Sequence, residues 1–147
     1  MASIYDTSDN TQLINRIQKL NATSTPLWGK MSVDQMCEHC IAAINVAFGK
    51  QDLTISFPMR LLGRLLKNKA FNSDFGKNSP MAKEFRITSH SDFEKSQTQL
   101  IACVQEFAKG TSVITVMHHP FWGKMSYEDW DKLMYRHLDH HLRQFGV

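Results

Sequence analysis

The sequence predicts an all-α protein: a four-helix bundle with a short additional helix in the connection between the second and third main helices. Two observations carry this prediction. Apolar residues recur at helical spacing in four long segments, and each segment begins near a serine or aspartate that can cap a helix. One segment, TSVITVM, is rich in β-branched residues, but it has no evident partner strand and is interpreted as an extended linker. The length of 147 residues indicates one domain, 1–147.

The first two main helices are separated by a loop with proline and glycine breakers. We predict the first over residues 8–20, with Asp9 in a capping box. The second is predicted over residues 33–48. It follows Ser32, which can cap the helix, and Gln35 stands three residues later, where it can close the box.

The last two main helices carry similar signals. The third is predicted over residues 91–110, with Ser91 as its cap and a glycine at its end. The fourth is predicted over residues 127–145. Ser126 is its cap, and Asp129 is its third helical residue, where a carboxylate also suits the helix dipole.

The connecting segment FPMRLLGRLLKNKAF predicts a short amphipathic helix with Pro58 in its first turn, followed by an irregular stretch, FNSDFGKNSP. Its leucines lie on one side and its cations on the other. We expect the helix to cover the bundle with its cations in solvent, although a basic face can also meet an anionic partner or a lipid surface. The two sets are Leu61, Leu62, Leu65 and Leu66, and Arg60, Arg64 and Lys67.

The pentapeptide WGKMS occurs twice, directly before the second and the fourth main helix. Each copy combines an aromatic residue, a glycine turn and a serine cap. We therefore expect Trp28 and Trp122 to pin their loops to the core. Five matched residues do not establish an internal duplication.

Composition excludes several classes of protein. A net charge of +3 is mild, and no nucleic-acid-binding motif is present. No stretch approaches the roughly 20 apolar residues that a membrane span needs. The stretch MASIYDTSDN does not resemble a signal peptide, and three cysteines do not form a disulfide framework, so we expect a cytoplasmic protein.

Histidines dominate the candidate site. In the fourth main helix, His137 and His141 stand four residues apart, on the apolar stripe that also holds Trp130 and Met134. Buried imidazoles are costly unless a partner satisfies them, and an i, i+4 histidine pair can present two nitrogens to one metal ion. A hydrogen-bonded pair without metal is the competing interpretation. His140 lies off this stripe, nearer solvent.

A third ligand has to come from another helix. His39, on the edge of the apolar stripe of the second helix, is the best candidate. The stretch Cys37-Glu38-His39-Cys40 offers a rival zinc site that combines Cys40 with the three histidines, or a redox Cys-x-x-Cys pair. Cys40 fits the apolar stripe of the second helix, whereas Cys37 is predicted to lie off it. His118 and His119, before Pro120, are expected in a loop or in solvent.

At these residues the chain resembles a known superfamily. QMCEHCIAA in an early helix and RHLDHHLRQFG in a late one look like the DinB/YfiT-like superfamily of metal-dependent proteins, and specifically like a subgroup without assigned function. The resemblance implies a four-helix bundle with a metal held by His39, His137 and His141. It also implies a role for Gln144, three residues after the last ligand, in orienting a ligand. One departure is Leu142-Arg143-Gln144 where superfamily members often have Arg-Gly-Gln.

Three imidazoles would leave a coordination position open on a divalent zinc, nickel or iron ion. The superfamily includes thiol-dependent enzymes, so the resemblance implies a metal-dependent transferase or hydrolase that activates a low-molecular-weight thiol or water. No general base is evident: Glu38 faces elsewhere, Asp129 serves a helix start, and His119 reaches the site only if its linker folds over it. The alternative is a non-catalytic binding or structural module, and the resemblance suggests a homodimer.

Overall fold

The computed structural model describes residues 2–77 and 82–147, and within them the protein is all-α except for one small hairpin. Residues 78–80, part of the stretch expected to be irregular, lie outside the described residues. Two single-turn 3₁₀ helices occupy Lys83–Phe85 and Gly110–Ser112. The five described helices are α1 (Thr7–Gln18), α2 (Val33–Ala47), α3 (Phe57–Asn72), α4 (Phe93–Phe107) and α5 (Tyr127–Gln144).

The serines of the two WGKMS copies mark the starts of α2 and α5, as predicted. At α5 the capping box is complete: the Ser126 hydroxyl accepts from the Asp129 N–H at 3.1 Å, and the Asp129 carboxylate accepts from the Ser126 N–H at 2.9 Å. At α2 the Gln35 side chain accepts from the Ser32 N–H at 3.1 Å, while the Ser32 hydroxyl donates to the Asp34 carboxylate. The bonds donated by the N–H groups of Ser32, Ser126 and Asp129 satisfy backbone donors that a helix start leaves free.

The caps predicted for α1 and α4 are wrong by one to three positions. Asp6 caps α1 by accepting from the Asp9 N–H, so Asp9 is the third helical residue and not the cap. Asp92 caps α4 by accepting from the Lys95 N–H, whereas Ser91 precedes the cap. Several neighbouring residues can cap a helix, and the sequence does not choose among them.

The core lies among α1, α2, α4 and α5. Contacts join α2 to α4 and α5, and α1 to the same two helices. The largest fully buried side chains include Trp130 of α5 and Phe107 of α4. This packing sets α2 beside α5, which are the two helices that carry the candidate ligands.

Helix α3 occupies the predicted segment plus one residue, with Pro58 in its first turn as predicted, but it presents its leucines to solvent instead of to the protein. Gly63 and Phe71 are its buried residues. Lys67, expected in solvent, donates to the Asp129 carboxylate at 2.7 Å and to the Lys124 carbonyl. The helical spacing of the apolar residues predicts that α3 has two different faces, but contacts such as the Lys67–Asp129 pair determine which face lies against the protein.

The linker before α5 contains a hairpin that the sequence did not predict. Strand β1 (His118–His119) pairs antiparallel with β2 (Gly123–Lys124). In the TSVITVM segment, the N–H groups of Thr115 and Val116 both donate to the Ala47 carbonyl at the end of α2. Among the described residues, no helix combines the length and the apolar character needed to cross a membrane.

Candidate metal centre

Three histidines predicted as ligands lie together between α2 and α5. His39 comes from α2, and His137 and His141 lie one turn apart on α5. One ring nitrogen of each lies within 4.8 Å of those of the others, and the Nε2 atoms of His39 and His137 are 2.9 Å apart. Tetrahedral zinc with Zn–N bonds of about 2.0–2.1 Å separates two ligand nitrogens by about 3.3 Å. The observed spacing brackets this value, so the cluster fits a metal ion.

The ring of His39 is held by the backbone of the 3₁₀ helix at Lys83–Phe85. Its Nδ1 lies 2.9 Å from the Phe85 carbonyl, which can only accept, so Nδ1 carries the proton. The phenyl ring of Phe85 also meets the imidazole edge to face, with centroids 5.8 Å apart. The lone pair of His39 is therefore on Nε2, which faces the other two histidines.

His141 is oriented by Gln144 one turn later. The Gln144 amide nitrogen donates to the Trp28 carbonyl at 2.7 Å, which points the amide oxygen at His141 Nδ1, 2.8 Å away. That oxygen can only accept, so His141 Nδ1 is protonated and its Nε2 carries the lone pair. The first WGKMS loop thus determines, through Gln144, the tautomer of a candidate ligand.

His137 lacks an equivalent partner. Its Nδ1 is buried, and no described residue bonds to it. The Nε2 of His137 faces the Nε2 lone pair of His39. A hydrogen bond between these two atoms requires the proton on His137 Nε2, and His137 Nδ1 is then unprotonated and has no hydrogen-bond donor. A cation between the three rings would receive the lone pairs of all three Nε2 atoms and move this proton to Nδ1.

All three imidazoles are held in the neutral form that binds metal. Burial lowers the pKa of His39 and lowers that of His141 to about 3. The pKa of His137 falls well below its usual value, first through burial and then through the neighbouring His141 and His39. Three basic groups packed this closely cannot all be protonated.

The three histidines open into a cavity of about 940 Å³. Its walls include five tryptophan and phenylalanine side chains, and both WGKMS loops contribute. Trp122 packs against the core, as predicted, whereas Trp28 lies outside the core cluster and meets His140 edge to face at 5.8 Å. The aromatic residues that line the cavity are Trp28, Phe75, Phe85, Trp122 and Trp130. Among the described lining residues there is no carboxylate.

His119, expected in a loop or in solvent, is buried and lines the same cavity. Its Nδ1 accepts from the N–H groups of Phe121 and Trp122 at 3.0 and 3.2 Å, so its proton is on Nε2. Burial lowers the pKa of His119 to about 4, so the ring is neutral. In the sequence, the position of His119 directly before Pro120 indicates a turn, and a turn does not show whether the side chain is buried.

The competing ligands fall outside the cluster. Cys37 and Cys40 are buried free thiols, and Cys40 points to the Met36 sulfur at 3.8 Å. Placing Cys37 off the buried face was wrong. Glu38 accepts from the Ser96 hydroxyl at 2.6 Å, away from the site as expected. His140 borders the cavity but is not part of the three-nitrogen group.

Comparison with known families identifies the family of this chain. The model of the family described as "Protein of unknown function (DUF1569)" matches residues 5–146. The chain belongs to the DUF1569 family. The three histidines, Gln144 and His119 all lie inside the part of this DUF1569 chain that the family model covers. Searches of curated proteins and of solved structures returned no match.

Proposed function

We propose that the protein binds one divalent metal ion through His39, His137 and His141, with Gln144 orienting His141. The observation that carries this proposal is the convergence of three ring nitrogens within 4.8 Å in a cavity wall. Hydrogen bonds keep the ring protons of His39 and His141 on Nδ1, so both Nε2 lone pairs point toward the other histidines. Ligating histidines commonly donate their second ring N–H to a carbonyl or carboxylate in this way. Zinc, nickel or iron suits an all-imidazole set.

We further propose that the site belongs to a metal-dependent transferase or hydrolase. Three protein ligands leave a position open, and the bound ion would lower the pKa of a water or a small thiol there. The protein's own contribution is the cavity beside the three histidines, whose tryptophan and phenylalanine side chains can pack against a bound small molecule. The Nε2–H of His119 supplies a neutral donor in the same cavity, because its Nδ1 is occupied by two backbone N–H groups.

The resemblance to the DinB/YfiT-like superfamily is part of the proposal, and so is its four-helix bundle. Support comes from the mutual packing of α1, α2, α4 and α5 and from the placement of one histidine in α2 and a pair in α5. Helix α3 is then an insertion between the second and third bundle helices. A homodimer in the cytoplasm is the expectation that accompanies this assignment.

One observation favours a second candidate, a non-catalytic module that holds metal for stability or no metal. No carboxylate is found among the described residues that line the cavity, and the Nδ1 lone pair of His119 is taken by two backbone N–H groups, so neither can act as a general base. Such a module would still be stabilised by an ion that joins α2 to α5.

Metal content tests the site. Purified protein without a tag should contain about one equivalent of metal by plasma mass spectrometry, or take it up from added zinc or nickel. His39→Ala, His137→Ala and His141→Ala should each lose it. His140→Ala is the matched control, because it removes an imidazole from the same helix and the same cavity but outside the cluster. Equal metal content in all four variants would refute the assignment.

Cobalt substitution separates the enzyme from the module. If a position on the ion is open, adding a small thiol to the cobalt-loaded protein should produce a thiolate-to-cobalt charge-transfer band in the near ultraviolet. If no thiol changes the spectrum of the cobalt-loaded protein, the result would favour the non-catalytic module. The metal site itself would still be established by the bound cobalt.

A further inference from the structure

Helix α3 presents an apolar surface outward. Six of the nine exposed large apolar side chains of the described residues belong to it, and Leu65 is 73% and Leu61 53% exposed. At about 100° per residue, most of these side chains fall in one continuous band. The six are Phe57, Met59, Leu61, Leu62, Leu65 and Leu66. Contiguous exposed apolar surface of this kind marks an interaction site.

The orientation of α3 is determined by contacts on its opposite side. A Cβ on Gly63 would meet the Phe121 carbonyl oxygen at 2.2 Å, so the helix backbone abuts the loop before β2. Lys67 is bonded to Asp129, and Phe71 meets Trp122 edge to face at 5.4 Å. Rotating the leucines inward would break all three contacts, so the apolar band faces outward by construction.

Charge identifies the kind of partner. Helix α3 contains four cations and no acidic residue. Lys67 is paired with Asp129, and Arg60 donates to the Ile55 carbonyl at 2.8 Å. No ion pair of the described residues engages Arg60, Arg64 or Lys69. At about 100° per residue, Arg64 lies at one edge of the apolar band, and Lys69 follows the band in the last turn of the helix. An apolar band with cations at its edge and its end matches a surface that is apolar inside and anionic outside.

We propose that α3 docks in the plane of an anionic lipid surface, with its leucines among the acyl chains and its unpaired cations at the headgroups. The helix is too short to span a bilayer: its sixteen residues extend about 24 Å and include four cations. Docking on a second copy is disfavoured, because a two-fold interface through this face sets the cations of one α3 against those of the other.

Vesicle sedimentation tests the proposal on the full chain. The protein should sediment with vesicles of equal parts phosphatidylglycerol and phosphatidylcholine, not with phosphatidylcholine alone, and less at high salt. Leu61→Gln/Leu65→Gln should abolish binding. Its matched control is Leu27→Gln, which changes a leucine that is 71% exposed on another surface and should bind as the parent does.

The charge contribution has its own matched pair. Arg64→Gln/Lys69→Gln should weaken binding about 25-fold, since each cation near an anionic surface contributes about 5-fold. Lys19→Gln/Lys95→Gln removes the same charge from exposed positions outside α3 and should change binding much less. Circular dichroism melts should be unchanged for the leucine variants, because those side chains face outward.

Three results would overturn the proposal. One is the absence of binding to anionic vesicles. Another is equal binding by the parent and Leu61→Gln/Leu65→Gln. The third is a dimer in sedimentation equilibrium that the same double substitution dissociates, which would assign the face to a second copy. None of these results bears on the metal site.

Discussion

Gln144→Met isolates the link between a candidate ligand and the first WGKMS loop. Methionine has nearly the length of glutamine and fills the same space, but it can neither accept from His141 Nδ1 nor donate to the Trp28 carbonyl. In the parent these bonds measure 2.8 and 2.7 Å, and Gln144 itself is buried. The substitution therefore removes hydrogen bonds with little change in packing.

The expected loss has two parts. Leaving a buried polar group without a partner costs about 1–3 kcal/mol, so two such groups lower the free energy of unfolding by about 2–6 kcal/mol in the metal-free protein. Without Gln144, the His141 proton can move to Nε2, which withdraws the inward lone pair. Loss of such an orienting partner typically weakens metal binding about 10–100-fold.

Urea titration of the metal-free variant measures the first part, and chelator competition with zinc measures the second. Gln105→Met, at an exposed position in α4, is the matched control and should leave both quantities near those of the parent. Reduced stability with unchanged zinc affinity would mean that Gln144 only anchors the loop. Parent values for both would refute the hydrogen-bond argument entirely.

Three further predictions concern other parts of the chain. Gly63→Ala, normally favourable in a helix, should lower stability by about 1–3 kcal/mol in thermal melts, because its Cβ would overlap the Phe121 carbonyl. In the parent, the pKa of His119 is about 4 when folded and about 6.5 when unfolded, so the unfolded chain binds more protons between these values. The free energy of unfolding of the parent should therefore fall by about 3 kcal/mol as the pH drops through that window. His119→Gln should remove this loss, as measured by denaturant titrations at several pH values. Cys37 and Cys40 should resist a thiol reagent in the folded protein at pH 8, because both are buried and burial raises the Cys37 pKa to about 12.

Each of these has a control. Asn68→Ala, exposed on α3, should be neutral or stabilising where Gly63→Ala is not. His118→Gln, exposed beside His119, should keep the parent's pH dependence. All three thiols should react after unfolding in urea. Rapid labelling of Cys37 in the native state, or identical acid profiles for the His119 variant and its parent, would contradict the burial on which these predictions depend.

Local signals in the sequence were sufficient to place the helices that carry the site. A serine followed by a polar residue three positions later starts both α2 and α5, because free N–H groups at a helix start need acceptors close in sequence. Spacing alone put His137 and His141 on one face. These inferences succeed since each concerns atoms separated by about one helical turn.

Long-range contacts account for the features that the sequence did not reveal. The leucine band of α3 satisfies the same periodicity whether it faces the core or solvent, and only the close approach of Gly63 to Phe121 and the Lys67–Asp129 pair decide the outcome. The burial of His119 depends on a hairpin whose strands are two residues each, too short for β propensity to indicate them. Cys37 was misplaced because α2 is buried on more than one side.

The double attachment of Gln144 to the first WGKMS loop couples two events. Its carbonyl accepts from the Leu27 N–H at 2.7 Å, while its side chain donates to the neighbouring Trp28 carbonyl. That loop is also a wall of the cavity, through Trp28. Lifting the wall away from α5 to admit a large molecule would break both bonds and leave the Gln144 amide, which orients the His141 ring, without its anchor. Opening the cavity therefore reduces the rigidity of the three histidines. A molecule small enough to enter without moving Trp28 would find them ordered, whereas a larger molecule would have to loosen them in order to enter.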